Sequence, residues 1–238
     1  MPNTRPERDL KDSPVFGEWE GPREFGTDSL PFPKLGESLL SDPIGSEGYI
    51  RLYEKWGFSK LEGLSFFAMF YQERARELVR AWLRSHENAE NFVYPVGFLY
   101  RHCIELNMKA AIVRSSWFRD LSPKRKEKKF RTHSLAKLWG MLKPILSEFT
   151  SDDEIKPFEE QLLELERLDE SSQGFRYPFG GFDHETGKPG PLLEGLVGKS
   201  FDNLVWVLDG MANWLSATAD VEQEYRDNLA YEERGAEY

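Results

Sequence analysis

Residues 94–109 read YPVGFLYRHCIELNMK. Apolar side chains cover most of the circumference of the helix this stretch predicts, and such a helix belongs inside a bundle rather than on its surface. Yet Arg101, His102, Glu105 and Lys109 interrupt the apolar coat. At about 100° per residue the four fall within about a quarter-turn of one another. Charges on an enclosed helix must be paired or used, because burying one alone is strongly unfavourable. Glu105 can pair with Arg101 and Lys109 at four-residue spacing, and Arg101 can reach Asp169 or the FRYP segment at 175–178. The other reading of the cluster has Arg101 holding a phosphate and His102 titrating.

Working outward, the predicted helix runs from Tyr94 or Pro95, a residue suited to a first turn, to about Phe118. Before it, Leu64, Ala68, Tyr71, Ala75, Leu78 and Trp82 recur every three or four residues, which predicts a helix over 61–84. Arg76, Arg80 and Arg84 form a second stripe there, either an exposed face paired with Glu73 and Glu77 or an extension of a basic surface. After it comes LSPKRKEKKFRTH, expected to be a loop. Ser134 is a candidate N-cap for a third helix with Leu135, Leu138, Trp139 and Leu142 on one face, and Pro144 should kink or interrupt it. Ser151 and Glu154 fit a capping box ahead of Ile155, Phe158, Leu162 and Leu165. The density of Gly and Pro in DESSQGFRYPFGGFDHETGKPGP forbids helix and allows a short hairpin around 175–191. A last helix is expected from about Ser200 to Tyr225, with an acidic tail, residues 229–238, that frays.

Five helices with short links predict an all-α, up-and-down helical bundle over residues 49–228. Residues 1–48, rich in Pro, Gly and charge, read as an irregular extended arm, partly disordered. The chain of 238 residues is 39% hydrophobic and 14% aromatic, enough for a substantial core. Its net charge of −10 disfavours indiscriminate nucleic-acid coating. Cys103 is the only cysteine, so no intrachain disulfide forms, and its neighbours Leu99, Leu106 and Ala110 mark it as a small buried residue. The charged N-terminus has no apolar signal segment, and no run approaches the ~18 apolar residues of a membrane span. These features place the chain in the cytoplasm, away from membranes.

Two stretches imitate a phosphate-binding loop. GGFDHETGKP has the wrong spacing, and LLEGLVGKS has Leu193 where the first glycine must let the backbone wrap a phosphate. There is no nucleophile elbow, no HExxH and no CxxC, so neither a metal nor a cofactor is expected.

The ordered set YRHCIELNMKAAI, THSLAKLWGML, DESSQGFRYPF and GKPGPLL, followed by a long helix, resembles the HEPN superfamily (higher eukaryotes and prokaryotes nucleotide-binding), more narrowly an uncharacterised bacterial branch. The resemblance covers about residues 60–225. It implies a helical bundle that is often dimeric. It also implies either a metal-independent ribonuclease, with an Arg followed four to six residues later by His on a late helix, or a member that lacks this motif. Members without the motif bind nucleotides or serve as partners of nucleotidyltransferases, toxins or defence complexes. Here the last predicted helix carries no histidine. The resemblance therefore implies a binding or assembly subunit of a toxin–antitoxin or anti-phage defence system. Its partner would be a protein, with RNA or a nucleotide as ligand, in a homodimer or hetero-oligomer. The alternative is a metal-independent ribonuclease with a divergent site, in which Arg101 and His102 supply the phosphate and proton-transfer groups and Arg176 assists.

The candidate ligand-binding residues are Arg101, Glu105, Lys109, His133, Arg176 and Tyr177. His133 either packs at the start of the third helix or forms a polar pocket with Arg101 and Arg176. Arg176 either satisfies helix-end carbonyls or contacts a phosphate, with Tyr177 stacking on a base. Lys124, Arg125, Lys126, Lys128, Lys129 and Arg131 are either a solvated loop or a salt-sensitive nucleic-acid contact.

Overall fold

The computed structural model describes residues 63–85, 87–170, 172–182 and 185–235, all within one compact unit, Trp56–Tyr238. The expected N-terminal arm lies outside the described residues. The described residues are all-α apart from one small hairpin. Among the described residues there are seven α-helices: α1 (Leu64–Arg84), α2 (Glu90–Arg114), α3 (Ser116–Arg119), α4 (Pro123–Phe130), α5 (Leu135–Leu146), α6 (Asp152–Leu168) and α7 (Phe201–Gly235). Between α6 and α7, strand β1 (Phe179–Phe182) pairs antiparallel with β2 (Pro189–Pro191), inside the span where a hairpin was expected.

The stretch at 94–109 is the hub. Helix α2 packs against α1, α5 and α7. Tyr100, Ile104 and Met108 are almost wholly buried in the main core, with Leu138 and Leu142 from α5, Ile155 and Leu162 from α6, and Leu208 and Met211 from α7. On the side facing α1, Cys103 and Leu106 pack with Ala68 and Ala212. Cys103 is fully buried there, and burial pushes its thiol up to about 12, so it is a packing residue.

Helix starts follow the local chemistry. The Ser134 hydroxyl accepts from the Lys137 N–H at 3.2 Å and opens α5. The Ser151–Glu154 capping box opens α6, with the Ser151 N–H donating to Glu154 Oε2 at 3.1 Å.

Five expectations are corrected. The central helix starts at Glu90, so Pro95 lies inside it rather than at its first turn. Burial of the following turns holds the helix together despite the one backbone bond lost. The helix then stops at Arg114, and Ser115 starts the short α3 by accepting from the Phe118 N–H at 3.2 Å. Pro144 falls in the last turn of α5, where few bonds remain to be broken, and the helix continues to Leu146. The basic segment is not a loop: Pro123 at the first position and a run of good helix formers make α4, which buries no residue. Helix α7 runs on to Gly235, through most of the tail expected to fray. Among the described residues no helix is long and apolar enough to cross a membrane.

Candidate functional site

Three segments converge where α2 passes the start of α5 and the end of α6. Arg101, Glu105 and Lys109 are 4%, 2% and 6% exposed. Arg101 is enclosed by carboxylates: its Nε lies 2.9 Å from Asp169 Oδ2, Nη1 3.5 Å from Glu105 Oε2 and Nη2 3.6 Å from Glu166 Oε2. The Nε–Oδ2 approach is an ion pair without hydrogen-bond alignment, and neither atom has another hydrogen-bond partner. Nη2 also donates to the backbone carbonyls of His133 at 3.2 Å and Asp169 at 3.4 Å. Burial pulls the guanidinium's pKa down while Asp169, Glu105 and Glu166 push it up. It stays charged, as arginine does in proteins.

Each carboxylate has a second task. Glu105 Oε1 accepts from Lys109 Nζ at 2.7 Å and meets His133 Nδ1 at 2.9 Å. Glu166 accepts from the Ser134 hydroxyl and from the Leu135 N–H at 2.9 Å, so a negative charge sits at the N-terminus of α5, where the helix dipole favours it. Asp169 Oδ1 accepts from the Gly174 N–H at 2.7 Å and pins the loop after α6. Ser172, in a left-handed conformation at φ 57°, donates to the His133 carbonyl at 3.0 Å. Three buried carboxylates therefore face two fixed cations, Arg101 and Lys109, with His133 at the rim.

The His133 side chain is 60% exposed. An ionised carboxylate only accepts, so Nδ1 carries the hydrogen toward Glu105, and in the neutral ring the lone pair lies on Nε2. The ring thus does more than pack at a helix start. Arg176 is exposed and rests over Phe98 with its guanidinium carbon 5.2 Å from the ring centre. It makes no ion pair with a described residue, yet its charge is felt at both Arg101 and His102. The two arginines therefore share one side of α2, Arg101 within and Arg176 at the surface. Tyr177 beside it is 55% exposed.

His102 stands apart from the ion network. It stacks on Phe98 at 5.9 Å and meets Tyr71 edge-on at 4.5 Å. Burial lowers its pKa below the ordinary 6.5, against the pull of Glu105 and with the help of Arg176, Lys109 and His133. A base whose folded pKa is depressed favours folding in its neutral form. That stability is complete above the unfolded pKa and is lost as pH falls through the folded value. Urea unfolding between about pH 7 and about pH 5 should show this loss in the wild type and a flatter profile in His102→Leu. Identical profiles would remove His102 as the source.

The basic residues split by role. Arg131 pairs with Glu127 at 2.6 Å, and Lys126 Nζ donates to the Arg119 carbonyl at 2.7 Å. Lys124, Arg125, Lys128 and Lys129 make no ion pair among the described residues. The arginine stripe of α1 is structural in part: Arg76 binds Glu73 at 2.8 Å and Asp209 at 2.8 Å.

Two partners escaped the sequence reading. Glu166 follows Leu162 by four residues, so a carboxylate on the apolar stripe of α6 was the available signal. Asp209 gathers Arg76, Gln72 and the Tyr100 hydroxyl at 2.8, 3.0 and 3.1 Å. Burial raises its carboxyl, but the hydrogen bonds from Arg76 and Gln72, the Arg76 charge and the Tyr100 hydroxyl together hold it below 3.8. No spacing rule pairs residues so distant in the chain. Among the described residues no cluster of three His, Cys, Asp or Glu could hold a metal ion.

No protein-family model matches the chain, and neither does any curated protein or solved structure.

Proposed function

We propose that the chain is a HEPN-like binding and assembly subunit of a bacterial toxin–antitoxin or anti-phage defence system, joining a protein partner and RNA or a nucleotide. One observation carries this reading: three of the four segments behind the resemblance meet at one place. Arg101 and Glu105 come from the first, His133 and Ser134 from the second, and Asp169, Gly174 and Arg176 belong to or adjoin the third. The buried charges are consumed by one another, so they brace the bundle and hold His133, Arg176 and Tyr177 at the surface for recognition.

The test pairs two measurements. The purified chain should form a stable complex with the product of an adjacent gene and should leave RNA intact in EDTA. Cleavage that disappears in His133→Gln, with the fold intact, would overturn the assembly reading. It would favour a second one, a metal-independent ribonuclease. The Glu105–His133 contact supports that alternative, because with the hydrogen on Nδ1 it leaves Nε2 as a base on a ring that is 60% exposed. There His133 would take the proton of an RNA 2′-hydroxyl and Arg176 would steady the phosphate. The Arg101–His102 pairing expected for that role is less apt, since carboxylates surround Arg101 and His102 is wedged between aromatic rings.

A further inference from the structure

We infer that the cavity between α3, α4 and the start of α5 is a binding site for single-stranded nucleic acid, with a base on Trp117 and the backbone on the surrounding cations. The inference rests on the RNA-binding side of the proposed function and names its surface and the form of the strand.

The cavity has a volume of about 540 Å³, within the range of pockets that hold small organic ligands. Trp117, Leu121 and Met141 supply its apolar wall, and Arg125, Lys128, Lys129 and Lys137 supply its charge. Among the described residues no carboxylate lines it. On a chain with net charge −10 this is a local inversion of sign.

The helical register explains how the charges gather. Arg125, Lys128 and Lys129 are related by three and four residues, so they share one face of α4, and Lys137 approaches from the first turns of α5. Like charges at these spacings repel. The acidic residue of α4, Glu127, binds Arg131 instead of relieving them. Arg125, Lys128, Lys129 and Lys137 make no ion pair among the described residues. The arrangement therefore costs stability unless an external anion completes it.

The aromatic wall decides which anion. Trp117 is 41% exposed and Lys129 Nζ lies 5.2 Å from its ring centre. On its flexible stem Lys129 can leave the ring for a phosphate, and the exposed indole then offers a base a stacking platform beside a phosphate-neutralising charge. Stacking plus backbone neutralisation is how single strands are held without sequence preference. A duplex hides its bases and offers only its phosphates. An acidic peptide would meet the lysines and leave the indole without a ring to stack on.

The test is binding of a fluorescein-labelled oligouridylate to the full chain, across a salt series, beside a duplex RNA and a polyglutamate of equal length. The single strand should bind best. Four neutralised phosphates should give a log–log salt slope of about −3. Trp117→Ala should weaken binding by about tenfold to a hundredfold, and Trp117→Phe should recover most of it. Lys128→Ala combined with Lys137→Ala should flatten the slope by about half. Because α4 buries nothing and Trp117 is partly exposed, these variants should keep the wild-type circular dichroism.

Equal binding of polyglutamate, or a Trp117→Ala variant that binds as wild type, overturns the site. If oligouridylate binds but neither Trp117 nor the lysines matter, RNA binding stands and lies elsewhere. If no nucleic acid binds while the complex with the partner protein forms, this inference fails and the assembly reading survives.

Discussion

Glu105→Ala should destabilise the fold by about 3–5 kcal/mol, measured by urea unfolding at neutral pH. Among the described residues Glu105 is the one carboxylate shared by Arg101, Lys109 and His133, at 3.5, 2.7 and 2.9 Å. Removing it leaves Lys109, only 6% exposed, with no carboxylate among the described residues. A buried ammonium so stranded keeps its desolvation cost and loses its compensation. Lys109→Met should cost less than about half as much, because Glu105 retains Arg101 and His133 and the methionine fills the same channel beside Phe130. A loss under about 1 kcal/mol for Glu105→Ala would mean that the network behaves like an exposed ion pair. The bracing role given to it here would then be untenable.

Phe175→Ala should cost about 3–5 kcal/mol and should also loosen the surface that carries Arg176. Phe175 is 3% exposed, part of the main core, and anchors the segment after α6 onto α2. Its seat exists because residue 97 is glycine. A Cβ there would meet ring atoms of Phe175 at 2.2, 2.3 and 2.9 Å. Gly97→Ala should therefore cost about 1–3 kcal/mol, by forcing the ring from its place. The two changes act on one contact, so the double variant should cost less than the sum of the singles. Strict additivity in that cycle would show that the close approach plays no part in holding the loop. The same loosening should reach Arg176, which rests on Phe98, the next residue of α2. Hydrogen exchange should then rise across residues 172–179 in Gly97→Ala before it rises in α2 or α5.

Much of the architecture was legible because amphipathic periodicity and capping act within a few residues. Leu64 through Trp82 announced α1. Ser134 and the Ser151–Glu154 pair marked the starts of α5 and α6 to within a residue. Helix α4 was missed for the converse reason. It has no apolar stripe, so only intrinsic propensity and Pro123 favoured it, and these are weaker signals than burial. Prolines misled twice: Pro95 was read as a first-turn residue, but burial of the flanking turns carries the helix through it, and Pro144 was read as a kink or interruption, but it falls in the last turn, where few bonds remain to be broken.

The site divides along the same line. Residue spacing alone established that Arg101, Glu105 and Lys109 lie on one side of an enclosed helix, and that Glu105 sits one turn from each of the other two. That follows from helical pitch. Whether those charges would meet a cavity or one another rested on Glu166, Asp169 and His133, which lie far along the chain and arrive only when α5 and α6 dock. The tertiary arrangement resolved it: a guanidinium ringed by carboxylates is a brace, while His133 and Arg176 are left at the surface. The cationic face at Trp117 is likewise a product of docking, because desolvation and ion pairing depend on what surrounds a group in space, and neighbours in the sequence supply only part of that surrounding.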